Sequence, residues 1–544
     1  MKTTILVRAG LATFASALVL SACSGNGGNN SGDAAGKSPA ASASADSAVP
    51  ETGLPLSKEL QTIKLVTVID DGKPPNKDIR FWQNLEKETN VHVEFQDINV
   101  SQWKEKKSLM FASNDLPTAI LGHASLTDIE LLNYGSQGQL IPLEGLIEKY
   151  APNLNKAFKE YPELKKELTA PDGHIYAIPS FDDGLVPEAA FPLFINKKWL
   201  DQLGLKVPTT TDEFEQVLLA FKQKDPNGNG KADEIPLTTG STWGYFSQMF
   251  GSFGLVDDYN THIALANGKA VHTASQPQFK EAIQYFRKLQ SQGLIDNEAF
   301  TQDSKVLTSK QKTVPRIAGA FQGWRSSAWA NNPEETNDYV VVPPLKGPKG
   351  DQAWPRNTTG LTARGSFSIT KNAKNPELLM RWADNLLADD NGLMLTFSYR
   401  MGDTIEKTAD NKIKILRALD WNNPDESLNS PTTSSKMNFM TKSNSKRLLD
   451  VPAHMIEKQG FDKVYTQYLE PRFPNVFFSK EESQKLATIG NDLNTYINSM
   501  YAKWIMSGGI ENEWDSYLKK LNDMGLKDYV GIYQTALERY NQAK

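Results

Sequence analysis

An α/β fold built around a parallel sheet is predicted by three observations near the start of the folded chain. Residues 63–69 form a compact apolar run of strand length. Residues 74–90 place Ile79, Trp82 and Leu85 at near-helical spacing on one face. Val91, His92, Val93, Glu94 and Phe95 then alternate apolar and polar, as a half-buried strand does. Strand, helix and strand within about 33 residues make a βαβ unit, and its crossover requires parallel strands.

Later elements fit the same class. Residues 193–195, 317–321, 339–342 and 367–369 read as further strands. Thr210 and Glu213 have capping-box spacing ahead of a buried stripe of Phe214, Val217, Leu218 and Phe221. Ser275 precedes a helix that turns Phe279, Ile283, Phe286 and Leu289 inward, with Gly293 past its end. Asn375-Pro376 opens a helix carrying Leu379, Trp382 and Leu386. In the tail, Leu486, Ile489, Leu493, Tyr496, Met500 and Trp504 recur every three to four residues, which predicts a helix. No short-period internal repeat is present.

The 544 residues, 39% hydrophobic and 10% aromatic, suffice for several ordinary domains or one large two-lobed protein. Formal net charge is −5, and no Lys/Arg-rich stretch stands out. Nucleic acid and anionic bilayers are therefore not expected as ligands. The single cysteine, Cys23, excludes a disulfide within the chain and a thiolate metal site. It closes the run Leu20-Ser21-Ala22-Cys23, after Lys2, Arg8 and about 12 apolar residues. That is the anatomy of an export signal, too short for a permanent membrane span of roughly 20 residues. It resembles the bacterial lipoprotein signal, with residues 1–22 removed and Cys23 acylated; an ordinary secretory signal is the alternative. Residues 24–57, rich in Gly, Ser, Ala and Asn, read as a flexible tether reaching to about residue 60. The mature chain would then work at the outer face of the cell membrane, held by lipid.

Residues 225–234 carry the densest chemical pattern. Asp225, Asn227 and Asn229 fall at positions 1, 3 and 5 of an EF-hand-type loop, Gly230 at 6, and Asp233 and Glu234 at 9 and 10. Calcium takes six to eight hard oxygen ligands, which this spacing supplies, with Lys231 offering its backbone carbonyl. Position 12, where an EF-hand has a bidentate glutamate, is Pro236, so Asp233 and Glu234 would close the sphere. The alternative is an Asn-Gly turn with solvated acids. A bound calcium would be structural.

Nothing points to catalysis. The six histidines, His92, His123, His174, His262, His272 and His454, form no compact ligand motif, and no nucleophile elbow or Walker loop appears. The adjacent acids Asp182-Asp183, Asp257-Asp258 and Asp389-Asp390 point different ways and make no glycosidase pair. Four tryptophans instead sit in polar or Gly/Pro-rich surroundings: Trp243, Trp324, Trp354 and Trp421. A loop Trp offers a flat apolar face at low entropy cost, suited to stacking on sugar C–H faces.

The segments Gly173-His174-Ile175-Tyr176-Ala177-Ile178-Pro179 and Pro192-Leu193-Phe194-Ile195-Asn196-Lys197-Lys198-Trp199-Leu200, the loop 225–234, and the ending from Trp514 to Tyr540 together resemble the extracellular solute-binding lipoproteins of ABC sugar importers. The likeness is to the maltose-binding-protein-like group, and within it to alginate-oligosaccharide-binding and Paenibacillus-type members. It implies a two-lobed periplasmic-binding-protein-like α/β fold, with a ligand cleft between hinged lobes. Residues 61–182 and 366–425 would form one lobe, and 183–365 and 426–544 the other. It also implies an oligosaccharide ligand, a permease partner and a monomer. The calcium ligands it implies are the six positions Asp225, Asn227, Asn229, Lys231, Asp233 and Glu234. Trp324 lies where maltose-type binders place a stacking Trp; Gln322, Arg325, Asp182, Arg356 and Tyr399 are further cleft candidates. Residues 398–403 depart from the group's usual Gly-Ile-Glu-Gly-like segment, so ligand identity does not transfer. A surface polysaccharide hydrolase or lyase, and a binder of peptides or another solute, are the competing readings.

Overall fold

The computed structural model describes residues 49–184, 188–240, 244–324, 338–357, 360–420, 423–450 and 453–543. The chain builds a two-lobed α/β fold, crossing between the lobes three times. The first pass lays down β1 (Gln61–Ile69), β2 (Val91–Asn99), β3 (Ala119–Leu126) and β4 (Ile178–Asp182). The second lobe begins with β5 (Leu193–Asn196) and β6 (Ile235–Thr238), then a hairpin of β7 (Ile263–Ala266) and β8 (Lys269–His272). It continues through β9 (Ala318–Gln322), β10 (Tyr339–Val342) and β11 (Trp354–Pro355). The chain returns as β12 (Leu361–Ile369), forms the hairpin β13 (Ile405–Lys407) and β14 (Ile413–Ile415), and adds β15 (Phe439–Met440). It then leaves through β16 (Leu469–Glu470) for the C-terminal helices.

The predicted βαβ unit forms as expected. β1 and β2 pair in parallel from Gln61↔Val91 to Ile69↔Asn99, around the helix Arg80–Thr89. That helix starts later than residue 74 because Pro74-Pro75 holds its approach extended. The first sheet runs β15-β4-β12-β3-β1-β2, and the second β10-β5-β9-β6. Within the first, β2 and β3 flank β1 on opposite sides and both run parallel to it. This reversal of strand order opens a crevice at the carboxyl ends of β1 and β3, where open α/β sheets bind ligands.

Three expectations change. The tether ends well before residue 60: Leu56 is fully buried in the first-lobe core, and Arg381 donates to the carbonyls of Pro50 and Gly53, both at 2.9 Å. The last crossing falls after residue 440 and not at 425/426, because Phe439 and Met440 pair in parallel with Phe181 and Asp182 of β4. Likewise β12 joins the first sheet from Leu361, ahead of 366. The tail helix forms as expected, running from Lys480 to Ser507 with one wide turn at Leu486–Gly490.

Candidate ligand cleft and metal loop

At the carboxyl end of β1, the segment 432–436 closes over the crevice. Ser434 Oγ donates to Asp70, Ser435 Oγ to the Val68 carbonyl at 2.8 Å, and the His123 amide to the Ser434 carbonyl at 3.0 Å. Gly122 permits this approach: a Cβ there would lie 2.9 Å from the Ser434 oxygen. Lys436 is buried and donates to the Leu395 carbonyl at 2.7 Å, in the last turn of the helix Asp389–Phe397, where a cation is favoured. Burial brings Lys436 down to about 8. Burial, then the Lys436 charge, pushes the His123 imidazole down and keeps it neutral; its Nδ1 is buried with no hydrogen-bond partner.

In the second lobe the carboxyl end of β9 delivers Gln322 and Trp324. Gln322 is 1% exposed, and both of its amide atoms are buried without a partner. The half-buried Trp324 ring lies 6.2 Å from Phe191. Phe191 has φ +39°, a conformation rare for a bulky residue and typical of sites that trade strain for position.

The crossing segments are tied by charge. Glu188 accepts from Arg356 at 2.7 Å and Lys442 at 3.0 Å, its amide donates to Asp462 at 2.9 Å, and its carbonyl accepts from the Asn357 amide at 2.6 Å. Burial opposes ionisation of Glu188, yet Lys442 and Arg356 hold it below the usual range. Burial raises Asp183, whose partner Lys442 is 3.5 Å away. Asp182, at the end of β4, is half-buried, and its amide donates to the Gly360 carbonyl at 2.6 Å.

The other cleft candidates part company here. Asp182, Arg356, Gln322 and Trp324 lie at strand ends or crossings. Trp354 does not face a cleft: it is 2% exposed, packs at 5.0 Å against Tyr465, and donates Nε1–H to the Ala190 carbonyl. Tyr399 is buried on Phe397 in a first-lobe cluster with Leu393, Ile405 and Ile413. Trp243, Arg325, Trp421 and Cys23 lie outside the described residues. His123, Asp70 and Phe191 are not singled out by the sequence; a polar residue just past a predicted strand is the available signal for Asp70, whereas the strand that carries His123 is not itself predicted.

The loop 225–234 folds as a tight coil at the end of the helix Thr211–Gln223. Asp225 accepts the amides of Asn229 at 3.2 Å and Gly230 at 2.9 Å, and Asn229 Oδ1 accepts the Lys231 amide at 2.8 Å. Asn227 and Asn229 donate their side-chain amides to Asp233 at 3.0–3.1 Å. Asp225, Gly228 and Gly230 have φ of +43°, +69° and +74°, the sharp turns such a coil needs. Glu234 Oε1 is buried with no partner, and burial, then Asp225 and Asp233, push this carboxyl up. Among the described residues no three His, Cys, Asp or Glu side chains are gathered as a metal cluster. The loop's donor set is a mixed one, with two amides and a carbonyl beside its acids. Among the described residues no helix is long and apolar enough to cross a membrane.

Residues 73–392 match the family described as bacterial extracellular solute-binding protein. The chain is 35% identical over 507 residues to the fructooligosaccharide ABC transporter substrate-binding protein FusA of Streptococcus pneumoniae, covering 90% of this chain and 92% of that protein. FusA in complex with kestose superposes with a TM-score of 0.71 at 33% identity, over 89% of this chain and 100% of that one. A FusA EF-hand mutant in complex with fructo-nystose gives 0.73 at 34%, over 89% and 100%. An extracellular solute-binding protein of Bifidobacterium longum subsp. infantis gives 0.78 at 26%, over 89% and 99%. By family match and by identity along nearly its whole length, the chain belongs to the bacterial extracellular solute-binding proteins.

Proposed function

We propose that the chain captures a short neutral oligosaccharide, of the fructooligosaccharide class, between its lobes and hands it to the permease of an ABC importer, with no chemistry of its own. The likeness to FusA over 90% of the chain carries this reading. The aromatic pair Phe191–Trp324 suits a sugar face, and the unpartnered polar atoms of Gln322 and His123 suit hydroxyls. Asp70, Asp182 and Arg356 complete the reading, with Trp243, Arg325 and Trp421 as further contacts. The lobes close about the crossings that follow β4, β11 and β15, and closure follows from tighter binding to the closed state. Cys23 carries the lipid anchor.

Calcium is held by Asp225, Asn227, Asn229, Asp233, Glu234 and the Lys231 carbonyl. Glu234 Oε1, buried and unpartnered beside two other acids, supports this, and the ion neutralises that crowding. The asparagine amides turn their oxygens inward to meet it.

Calorimetry across fructo-, gluco-, galacturono- and alginate oligosaccharides and a peptide panel tests the function. Saturable binding of neutral oligosaccharides, unmodified after incubation, is expected. New reducing ends or unsaturated products, or binding of peptides alone, would sink the reading.

A further inference from the structure

Phe191 holds a backbone conformation that its place in the sequence disfavours twice over. Its φ is +39°, rare for a bulky side chain, and Pro192 restricts the residue before it to extended backbone. Such strain persists only where the surroundings over-determine it. Here they do so from both sides. Before Phe191, the Ala190 carbonyl accepts Nε1–H of Trp354 at 2.6 Å, and the Ala190 amide donates to the Pro355 carbonyl at 3.2 Å. After it, the Leu193 amide donates to the Tyr465 hydroxyl at 3.1 Å, and that hydroxyl donates to the Val342 carbonyl at 2.5 Å. Ala190, Leu193, Trp354 and Tyr465 are each at most 2% exposed, so water is no ready substitute for these bonds.

The two clamping rings come from remote parts of the chain. Trp354 opens β11, ahead of the second crossing, and Tyr465 ends the helix Ala453–Tyr465, past the third. They meet edge to face, with centroids 5.0 Å apart. A further link reaches Trp324: the Gly323 amide donates to the Pro192 carbonyl at 3.2 Å, and Leu193 pairs with Gln322. Phe191 and Trp324 are thus each one residue from the same knot, and their rings lie 6.2 Å apart.

We infer that Tyr465 and Trp354 are positioning residues, which clamp Leu193 and Ala190 from behind the cleft and so hold the Phe191–Trp324 pair ready for ligand; this rests on the oligosaccharide reading above. Both clamping rings are buried, so neither is placed to touch ligand. Their effect is preorganisation. A strained pair that is already formed need not be formed at the expense of binding, whereas one formed in only a fraction of molecules binds with its affinity reduced by that fraction.

The test joins calorimetry with neutral oligosaccharides, ligand-free melting, and fluorine spectra of the full chain carrying 5-fluorotryptophan. It compares the parent with Tyr465→Phe, Trp354→Phe and, as a control, Tyr517→Phe. Tyr517 is equally buried in the core of the same lobe, and its hydroxyl donates to the Ala274 carbonyl at 3.0 Å. The Trp324 resonance is identified by its absence from Trp324→Phe. Tyr465→Phe keeps the ring and loses only the hydroxyl. If about one molecule in ten then keeps the strained conformation, affinity falls about tenfold, and the ligand-free Trp324 resonance shifts. Trp354→Phe should move both readouts in the same direction. Tyr517→Phe should lower the melting temperature while affinity and the Trp324 resonance stay as in the parent. Parental affinity in Tyr465→Phe, where the parent binds, overturns the positioning role, as does an equal loss of affinity in Tyr517→Phe. A parent that binds no oligosaccharide overturns the oligosaccharide reading instead. The ligand-free resonance then decides: moved by Tyr465→Phe and not by Tyr517→Phe, it supports the clamp, and unmoved it overturns it. Should Tyr465→Phe fail to fold, Trp354→Phe decides by the same comparisons.

Discussion

The two lobes hold themselves together by different means. The first lobe has long strands, with nine residues in each of β1, β2 and β12, and apolar clusters on both faces of its sheet. Its central contact is the stack of Trp82 on Trp382, with ring centroids 5.7 Å apart. The second lobe has a sheet of four strands, each only four or five residues long. So short a sheet buries little, and helices bring the core instead: Phe246, Phe250, Phe279, Phe286 and Tyr501 pack ring on ring, Phe246 on Phe286 at 4.6 Å. That lobe also buries Asp257, His262 and His272 and carries the loop 225–234. The first lobe buries titratable groups of its own, Asp384, raised by burial to about 6, and Lys436, whereas the second adds a buried histidine pair and the loop 225–234, so the two should answer differently to pH and ions.

The most severe way to break this comparison is to hollow each core. Trp382→Ala and Phe250→Ala should each cost about 3–5 kcal/mol, the usual range for a large ring deleted from a packed interior. Hydrogen exchange should show protection lost chiefly in the lobe that carries the substitution. Equal loosening of both lobes by either change would mean that the cores act as one.

Removing calcium should come next in size. An ion bound only by the folded state adds about 2.7 kcal/mol when present at a hundredfold excess over its dissociation constant. Chelation should therefore lower the melting temperature and raise exchange in the loop and in the helix Thr211–Gln223, sparing the first lobe. An unchanged melting curve would remove calcium from the account.

Acid should then separate the lobes. Burial, then the neighbouring His262 charge, brings His272 down to about 3, and neither of its ring nitrogens has a partner. Unfolding lets the ring take up a proton below its ordinary 6.5. The stability is therefore present above pH 6.5 and is lost as pH falls, by about 2 kcal/mol between pH 6.5 and 5. His262 works against this. Despite burial, Asp257 at 3.0 Å raises it, so it favours the folded state as pH falls through that range. His272→Phe should flatten the loss of melting temperature from pH 7 to 5. An unchanged slope would place the acid response elsewhere.

Local features were legible in the sequence and long-range ones were not. The βαβ unit and the N-caps at Thr210 and Asn375 depend on neighbours a few residues apart, and they form, although Glu213 reaches back to Thr209 and not to Thr210. Trp354 misled because Gln-Ala-Trp-Pro-Arg looks like an exposed loop, while the ring's packing partner, Tyr465, comes more than a hundred residues later. The two-residue strand β15 carries no periodicity; only its pairing with β4 reveals it, which is why the last crossing was set too early. His123 looked unremarkable until the chain returned at residues 432–436 to cover it.

The gentlest test uses one cap from each lobe. Thr210 Oγ1 accepts the Glu213 amide at 3.1 Å at the head of the helix that runs into the loop 225–234. Asn375 Oδ1 accepts the Leu378 amide at 3.1 Å at the head of the first-lobe helix Pro376–Leu386. Replacing either by alanine should cost about 1 kcal/mol, since one of the helix's free amides loses its partner. The two variants differ in what calcium can do for them. The loop follows directly from the Thr210-capped helix, so fraying that helix should also weaken the ion's hold, and Thr210→Ala should need more calcium for the same thermal shift. Asn375→Ala should show the parent's calcium dependence on a lowered baseline. Equal calcium dependence in the two variants would mean that the loop stands independently of the helix leading into it.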